Sequence, residues 1–207
     1  MWCDTKFTGG EKLTISEIVH RLINAWGSTP PEEWRRELRP MVVITGGEPT
    51  LQLDIPLVRE IKRAGFFIAV ETNGTNTVPS LEYVDHVTVS PKKRSELTLR
   101  WGSELKVVLP GRVPTAHVSH GWSEDDLLEL AATGRWGALY VQPQDVTDQT
   151  TVEVSALSIR RTKGMHVLGA EYAENQFQAN VETCLAFISR NPEWKLSLQT
   201  HKFIGIR

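Results

Sequence analysis

Two hydrophobic periods alternate along the 207 residues, and that alternation decides which folds are open to the chain. In "LTISEIVHRLINAW", Ile15, Ile18, Val19, Leu22, Ile23 and Trp26 recur at helical spacing, and Thr14 with Glu17 can form a reciprocal capping box. "GSTPPEEWRRELRP" is a polar, proline-bounded connection. "MVVIT" then predicts a short buried strand running into Gly46-Gly47. "IPLVREIKRAG" predicts an amphipathic helix stopped by Gly65. Strands are expected at "FFIAVET", "HVTVSPK", "ELKVVLP" and "ALYVQPQ". Between them come a helical turn at "PSLEYVD" and a helix at "SEDDLLELAATG", whose acidic first turn suits the helix dipole. A helix at "QFQANVETCLAFISRNP" and a final strand and tail at "KLSLQTHKFIGI" close the order. The stretch from about 145 to 174 has no clean period and is expected to be an irregular insertion.

Strands separated by helices pair in parallel through βαβ units, so the expected class is α/β, an α/β barrel or open sheet, in one domain over residues 1–207. A net charge of −2 and a pI near 6.3 disfavour a broad nucleic-acid or membrane surface. Apolar runs stay well short of the roughly 18 residues of a membrane span. Cys3 and Cys184 are far apart and make no disulfide framework, so a reducing cytoplasm is the expected location.

In folds of this class the active site gathers at the C-terminal ends of the strands. Polar groups follow almost every predicted strand: Thr45-Gly46-Gly47-Glu48, Glu71-Thr72-Asn73-Gly74, Ser90-Pro91-Lys92, Gln142-Pro143-Gln144-Asp145 and Thr200-His201. Each has a bland reading. "ITGGEP" can be a tight strand-to-helix turn, and it lacks the spacing of a phosphate loop. "ETNGT" can be an ordinary Asn-Gly turn. "VSPKK" can be a solvated basic loop, and "YVQPQD" a common strand terminus. His117 and His120 lie beside Pro114 and Gly121, which points to a loop rather than a metal-binding helix. Cys184, among Leu185, Ala186 and Phe187, suits a small buried hydrophobe. The repetition of polar ends suggests one concave site with several anchors.

Taken in order, "WCDT", "ITGGEPTLQ", "VETNGT", "VSPK", "ELKVV", "YVQPQD" and "LSLQTHKFIGIR" resemble the 7-carboxy-7-deazaguanine synthase family. These are radical S-adenosylmethionine enzymes of 7-deazapurine (queuosine precursor) biosynthesis. The likeness covers nearly the whole chain except the irregular insertion. It implies a partial (βα)-type barrel holding a [4Fe–4S] cluster, S-adenosylmethionine and Mg²⁺. Its implied reaction converts 6-carboxy-5,6,7,8-tetrahydropterin to 7-carboxy-7-deazaguanine by radical ring contraction with loss of ammonia. No side chain is implied as the catalyst, because the radical comes from the cofactor.

By this resemblance Cys3 matches the last cluster cysteine, and Thr5 a threonine that helps hold Mg²⁺. Trp2 and Asp4, beside Cys3, are assigned to the cofactor. Gly46, Gly47 and Glu48 match the motif that receives the methionine amino group. Ser90, Pro91 and Lys92, with Gln142, Pro143, Gln144 and Asp145, match positions around the ribose and adenine, and Glu71 is added to that set. Thr45, His201 and Arg207, the last through its terminal carboxylate, match substrate-facing positions. Implied partners are the pterin, an electron donor such as flavodoxin and a second copy of the chain, with no nucleic acid and no membrane.

The resemblance departs at the beginning of the chain. Cys-x-x-Cys spacing would place the preceding cluster cysteine immediately before Met1, and the leading cysteine and first barrel strand further upstream. The expectation is an N-terminally truncated chain, with an unpaired sheet edge at or beside "MVVIT", that neither assembles the cluster nor turns over. Two rival readings stand beside this one. One is an activase of a glycyl-radical enzyme, against which "QTHKFIGI" speaks; the other is a cluster-less relic that binds S-adenosylmethionine or a pterin.

Overall fold

The computed structural model describes residues 9–27, 39–92, 95–109, 122–144 and 165–199, with side chains of the last segment from Gln176 onward. The elements, in chain order, are α1 (Ile15–Trp26), β1 (Met41–Ile44), α2 (Ile55–Arg63), β2 (Phe67–Thr72), β3 (His86–Val89), β4 (Trp101–Leu109), α3 (Glu124–Ala132), β5 (Arg135–Pro143), α4 (Met165–Arg190) and β6 (Trp194–Leu196). Short 3₁₀ turns lie at Pro49–Leu51 and Pro79–Tyr83. The strands form one six-stranded sheet in the order β1-β2-β3-β4-β5-β6. Pairing is parallel for β1 with β2, β2 with β3, β3 with β4 and β5 with β6. The expected α/β class with a parallel sheet is therefore present. No helix among the described residues is long and apolar enough to cross a membrane.

The chain divides into two compact units, Met1–Leu105 with Gly134–Gly137, and Lys106–Thr133 with Ala138–Arg207. In the first, the capping box at the start of α1 forms as its sequence dictates: Thr14 accepts from the Glu17 amide, and the Glu17 carboxylate takes the Thr14 N–H at 2.7 Å. Asp54 caps α2 through the Leu57 amide at 2.8 Å. Gly65, at φ 93°, ends α2 by donating to the Lys62 carbonyl. The helix buries Val58 and Ile61, a gain of about 1.5–3 kcal/mol for each side chain. The same core holds Ile68, Val70, Val87, Val89, Leu97, Leu99 and Leu105.

In the second unit, Phe187 of α4 meets Trp194 of β6 edge-on at 5.3 Å, within a core that includes Leu127, Leu130, Val141 and Cys184. Glu124 at the start of α3 binds Arg190 (2.7 Å) and Asn191 (2.9 Å) at the end of α4.

Three expectations change. "MVVIT" is not a buried strand: Met41 is 61% exposed and Val43 50%. β1 is the edge strand of the sheet, and the face carrying Met41 and Val43 stays uncovered among the described residues. The supposed irregular stretch contains the first turns of α4, which begins at Met165 and so takes in residues 165–174. Its weak amphipathic pattern explains why periodicity missed it. Finally, β4 and β5 begin earlier than expected, at Trp101 and Arg135. Gly102, Gly134 and Gly137 interrupt the apolar pattern there and mask the strand starts.

Candidate active site

In the first unit, the carboxylate of Glu48 ties the loop after β1 to the loop after β2. β1 stops at Ile44, and the chain turns through Thr45, Gly46 and Gly47, with Gly46 at φ 137°. That conformation favours glycine. Among the described residues, a β-carbon at Gly46 would meet nothing within 4 Å, so the glycine serves the turn and leaves the space beside it open to them. Glu48, extended at φ −147°, caps the following 3₁₀ turn. Its Oε1 accepts from the Thr50 N–H at 3.1 Å and the Thr50 hydroxyl at 2.6 Å.

The same carboxylate reaches across to β2. Oε1 also accepts from the Thr72 hydroxyl at 2.7 Å, and Oε2 accepts from the Asn73 N–H at 2.8 Å. Thr72 is 2% exposed, and a hydroxyl so buried needs partners. It finds a second one in the Gly74 N–H, which donates to it at 3.1 Å. Gly74, at φ 74°, turns its carbonyl to the amides of Thr98 and Leu99, both at 3.0 Å. The Ser90 N–H after β3 donates to the Thr72 carbonyl at 2.7 Å. Three strand ends are thereby fixed against one another.

The other sequence-predicted residues fall into separate groups. Glu71 precedes Thr72 on β2 and points to the opposite sheet face. Its register partner is Thr88, whose own partner is Glu104. On that face Thr88 donates to the Glu104 carboxylate at 3.1 Å, and His86 Nε2 lies 3.5 Å from it. Ser90 and Lys92 are half-buried around the buried Pro91, with Lys92 Nζ 3.5 Å from the Ser90 hydroxyl. In the second unit, Gln142, Pro143 and Gln144 end β5. The Gln144 N–H donates to the Leu109 carbonyl at 2.9 Å, and its own carbonyl accepts from Asn180 of α4 at 2.6 Å. Gln176 then donates to Asn180 at 3.2 Å.

Thr45 is exposed at the end of β1. Trp2, Cys3, Asp4, Thr5, Asp145, His201 and Arg207 lie outside the described residues, as do His117 and His120. Cys184 is fully buried, and burial pushes its thiol up to about 12, as befits a core residue. Among the described residues no group of three or more His, Cys, Asp or Glu is placed to hold a metal. Sequence reasoning passed over Thr50 and Asn180, and it named Thr72 and Asn73 only among the polar strand ends, without a role for either. A threonine closing a strand just before Asn-Gly was the available signal for Thr72. Asn180 left none, because nothing local marks which amide on a helix faces a loop carbonyl.

No family model matches the chain. Similarity to individual proteins is extensive. A 7-carboxy-7-deazaguanine synthase of Nitratidesulfovibrio vulgaris is 36% identical over 207 residues, covering 99% of this chain and 78% of that protein. The chain belongs to the 7-carboxy-7-deazaguanine synthase family. The synthase of Bradyrhizobium diazoefficiens is 32% identical over 212 residues, covering 100% of the chain and 78% of that protein. In fold, the chain resembles the crystal structure of QueE from Escherichia coli with a TM-score of 0.53 at 24% identity, covering 96% of this chain and 78% of that one.

Proposed function

We propose that the chain serves the family's reaction by holding S-adenosylmethionine and 6-carboxy-5,6,7,8-tetrahydropterin at the C-terminal ends of its parallel strands. One observation carries this reading: Glu48 locks its turn to the end of β2, which is in turn tied to the end of β3, at the strand ends where such sheets bind ligands. The open side of Gly46 suits an aminocarboxylate. With no β-carbon in the way, main-chain carbonyls of the turn can accept from the ligand's ammonium group. The Glu48 charge beside it favours a cationic ligand. In the first unit Ser90 and Lys92 supply a hydroxyl and an ammonium group suited to a ribose; in the second, Gln142 and Gln144 by themselves offer amide groups suited to an adenine edge.

S-adenosylmethionine, which Gly46, Gly47 and Glu48 would help hold, would supply a carbon radical only on receiving one electron from a reduced [4Fe–4S] cluster. What these residues contribute is orientation and exclusion of water. A cluster held by three thiolates does not fit the described residues: the chain has two cysteines, and Cys184 is sealed in the core. Cys3 is proposed as one of the three thiolates such a cluster needs, and Thr5 as a Mg²⁺ ligand.

Equilibrium dialysis tests the reading. Gly46→Val should lose S-adenosylmethionine at least about tenfold while circular dichroism stays native. Undiminished binding by that variant would remove the glycine turn from the site.

A further inference from the structure

Glu48 already accepts four hydrogen bonds from the protein, three on Oε1 and one on Oε2. A carboxylate so engaged is poorly placed to be chiefly a ligand to something else. We propose that Glu48 is a positioning residue, a clamp that sets the Gly46-Gly47 turn by gripping Thr72 and Asn73 at the end of β2.

The geometry favours this in three ways. First, the two oxygens divide the work: Oε1 bridges Thr50 in its own loop and Thr72 in the next strand, while Oε2 takes the Asn73 amide. Rotating the carboxylate toward a ligand would therefore break contacts in both loops at once. Second, the Thr72 hydroxyl is buried and has its one proton committed to Glu48, while accepting from the Gly74 amide. It makes the link between Glu48 and the rest of the β2 loop without being able to serve a ligand in its place. Third, the far side of that loop is fixed. The Gly74 carbonyl holds Thr98 and Leu99, and a β-carbon at Gly74 would strike the Leu97 side chain and come within 2.8 Å of Val89. The β2 loop is thus the anchor, and the glycine turn is the part being held. Because charge-assisted hydrogen bonds are roughly twice as strong as neutral ones, the carboxylate form is the suitable clamp.

This inference rests on the proposed function, since the turn matters for what it binds. The test uses the full chain with S-adenosylhomocysteine, a stable probe, and the variants Glu48→Gln, Thr72→Val, Thr72→Ser and the Gln/Val double variant. If Glu48 acts through Thr72, Glu48→Gln and Thr72→Val each weaken the probe by about tenfold. The double variant is then no worse than the weaker single one, because both remove the same link. Thr72→Ser, which keeps the hydroxyl, restores binding. Amide exchange gives a readout independent of any ligand. Thr72→Val should accelerate exchange at Thr50 and Asn73, whose amides bond Glu48 and not Thr72.

Normal binding by Thr72→Val alongside loss in Glu48→Gln would make Glu48 a direct ligand and overturn the clamp. So would unchanged protection of Thr50 and Asn73. An unmutated chain that fails to bind the probe would count against the proposed function, while the exchange result would still decide the clamp.

Discussion

Gly74 shows how closely single residues are constrained around the site. Its positive φ and the side chains of Leu97 and Val89 leave no room for a β-carbon. Gly74→Ala should cost roughly 2–4 kcal/mol, read as a lower urea midpoint at unchanged slope. Cys184 poses the opposite case, a reactive group made inert by burial. With its thiol pushed up to about 12, it should resist alkylation at pH 8 in the native chain and react once urea unfolds it, as peptide mapping will show. The sequence already marked Cys184 as a core residue, because its neighbours in the helix are apolar. It also marked Gly46, Gly47 and Glu48 as one unit. It could not reveal that the Glu48 carboxylate is spent on Thr72 and Asn73, since those partners lie 24 and 25 residues away and only strand register brings them near.

Between elements, single polar ties hold loops and helices in place. Asn180 of α4 supports the Gln144 carbonyl at the end of β5. Asn180→Ala leaves that carbonyl and the Gln176 amide without their partner, at a cost of about 1–3 kcal/mol in urea unfolding. The α3–α4 tie brings pH dependence. The Arg190 guanidinium, and then the Asn191 amide, hold the Glu124 carboxyl below its ordinary 4.5. A carboxyl depressed in the folded state stabilises above its unfolded value and loses that contribution as pH falls through the folded value. Acid unfolding should therefore begin at higher pH in Arg190→Gln than in the parent, followed by circular dichroism below pH 4.5. Local chemistry made two helix ends legible: the Thr14–Glu17 box and the Gly65 stop stand where their residue types require. The edge at or beside "MVVIT" was expected from the resemblance, but the exposure of Met41 and Val43 was not legible, because an apolar run looks the same whether one face of a strand is covered or both. The start of α4 was hidden for a similar reason, since a helix with apolar residues on several sides carries no strong period.

At the scale of the whole molecule, parallel strands in chain order bring the polar ends of β1, β2 and β3 to one level of the first unit, while Gln142 to Gln144 end β5 in the second. The alternation of periods made this architecture readable, because βαβ connections leave few other topologies. In the proposed function the ends of β1, β2 and β3 hold both S-adenosylmethionine and a carboxylated tetrahydropterin, the ligands that family membership suggests. Calorimetric titration of each ligand into the 207-residue chain under anaerobic conditions tests it most directly. Both should bind saturably, and Gly46→Val should lose S-adenosylmethionine. Binding of S-adenosylmethionine without the pterin, or of neither, would contradict it.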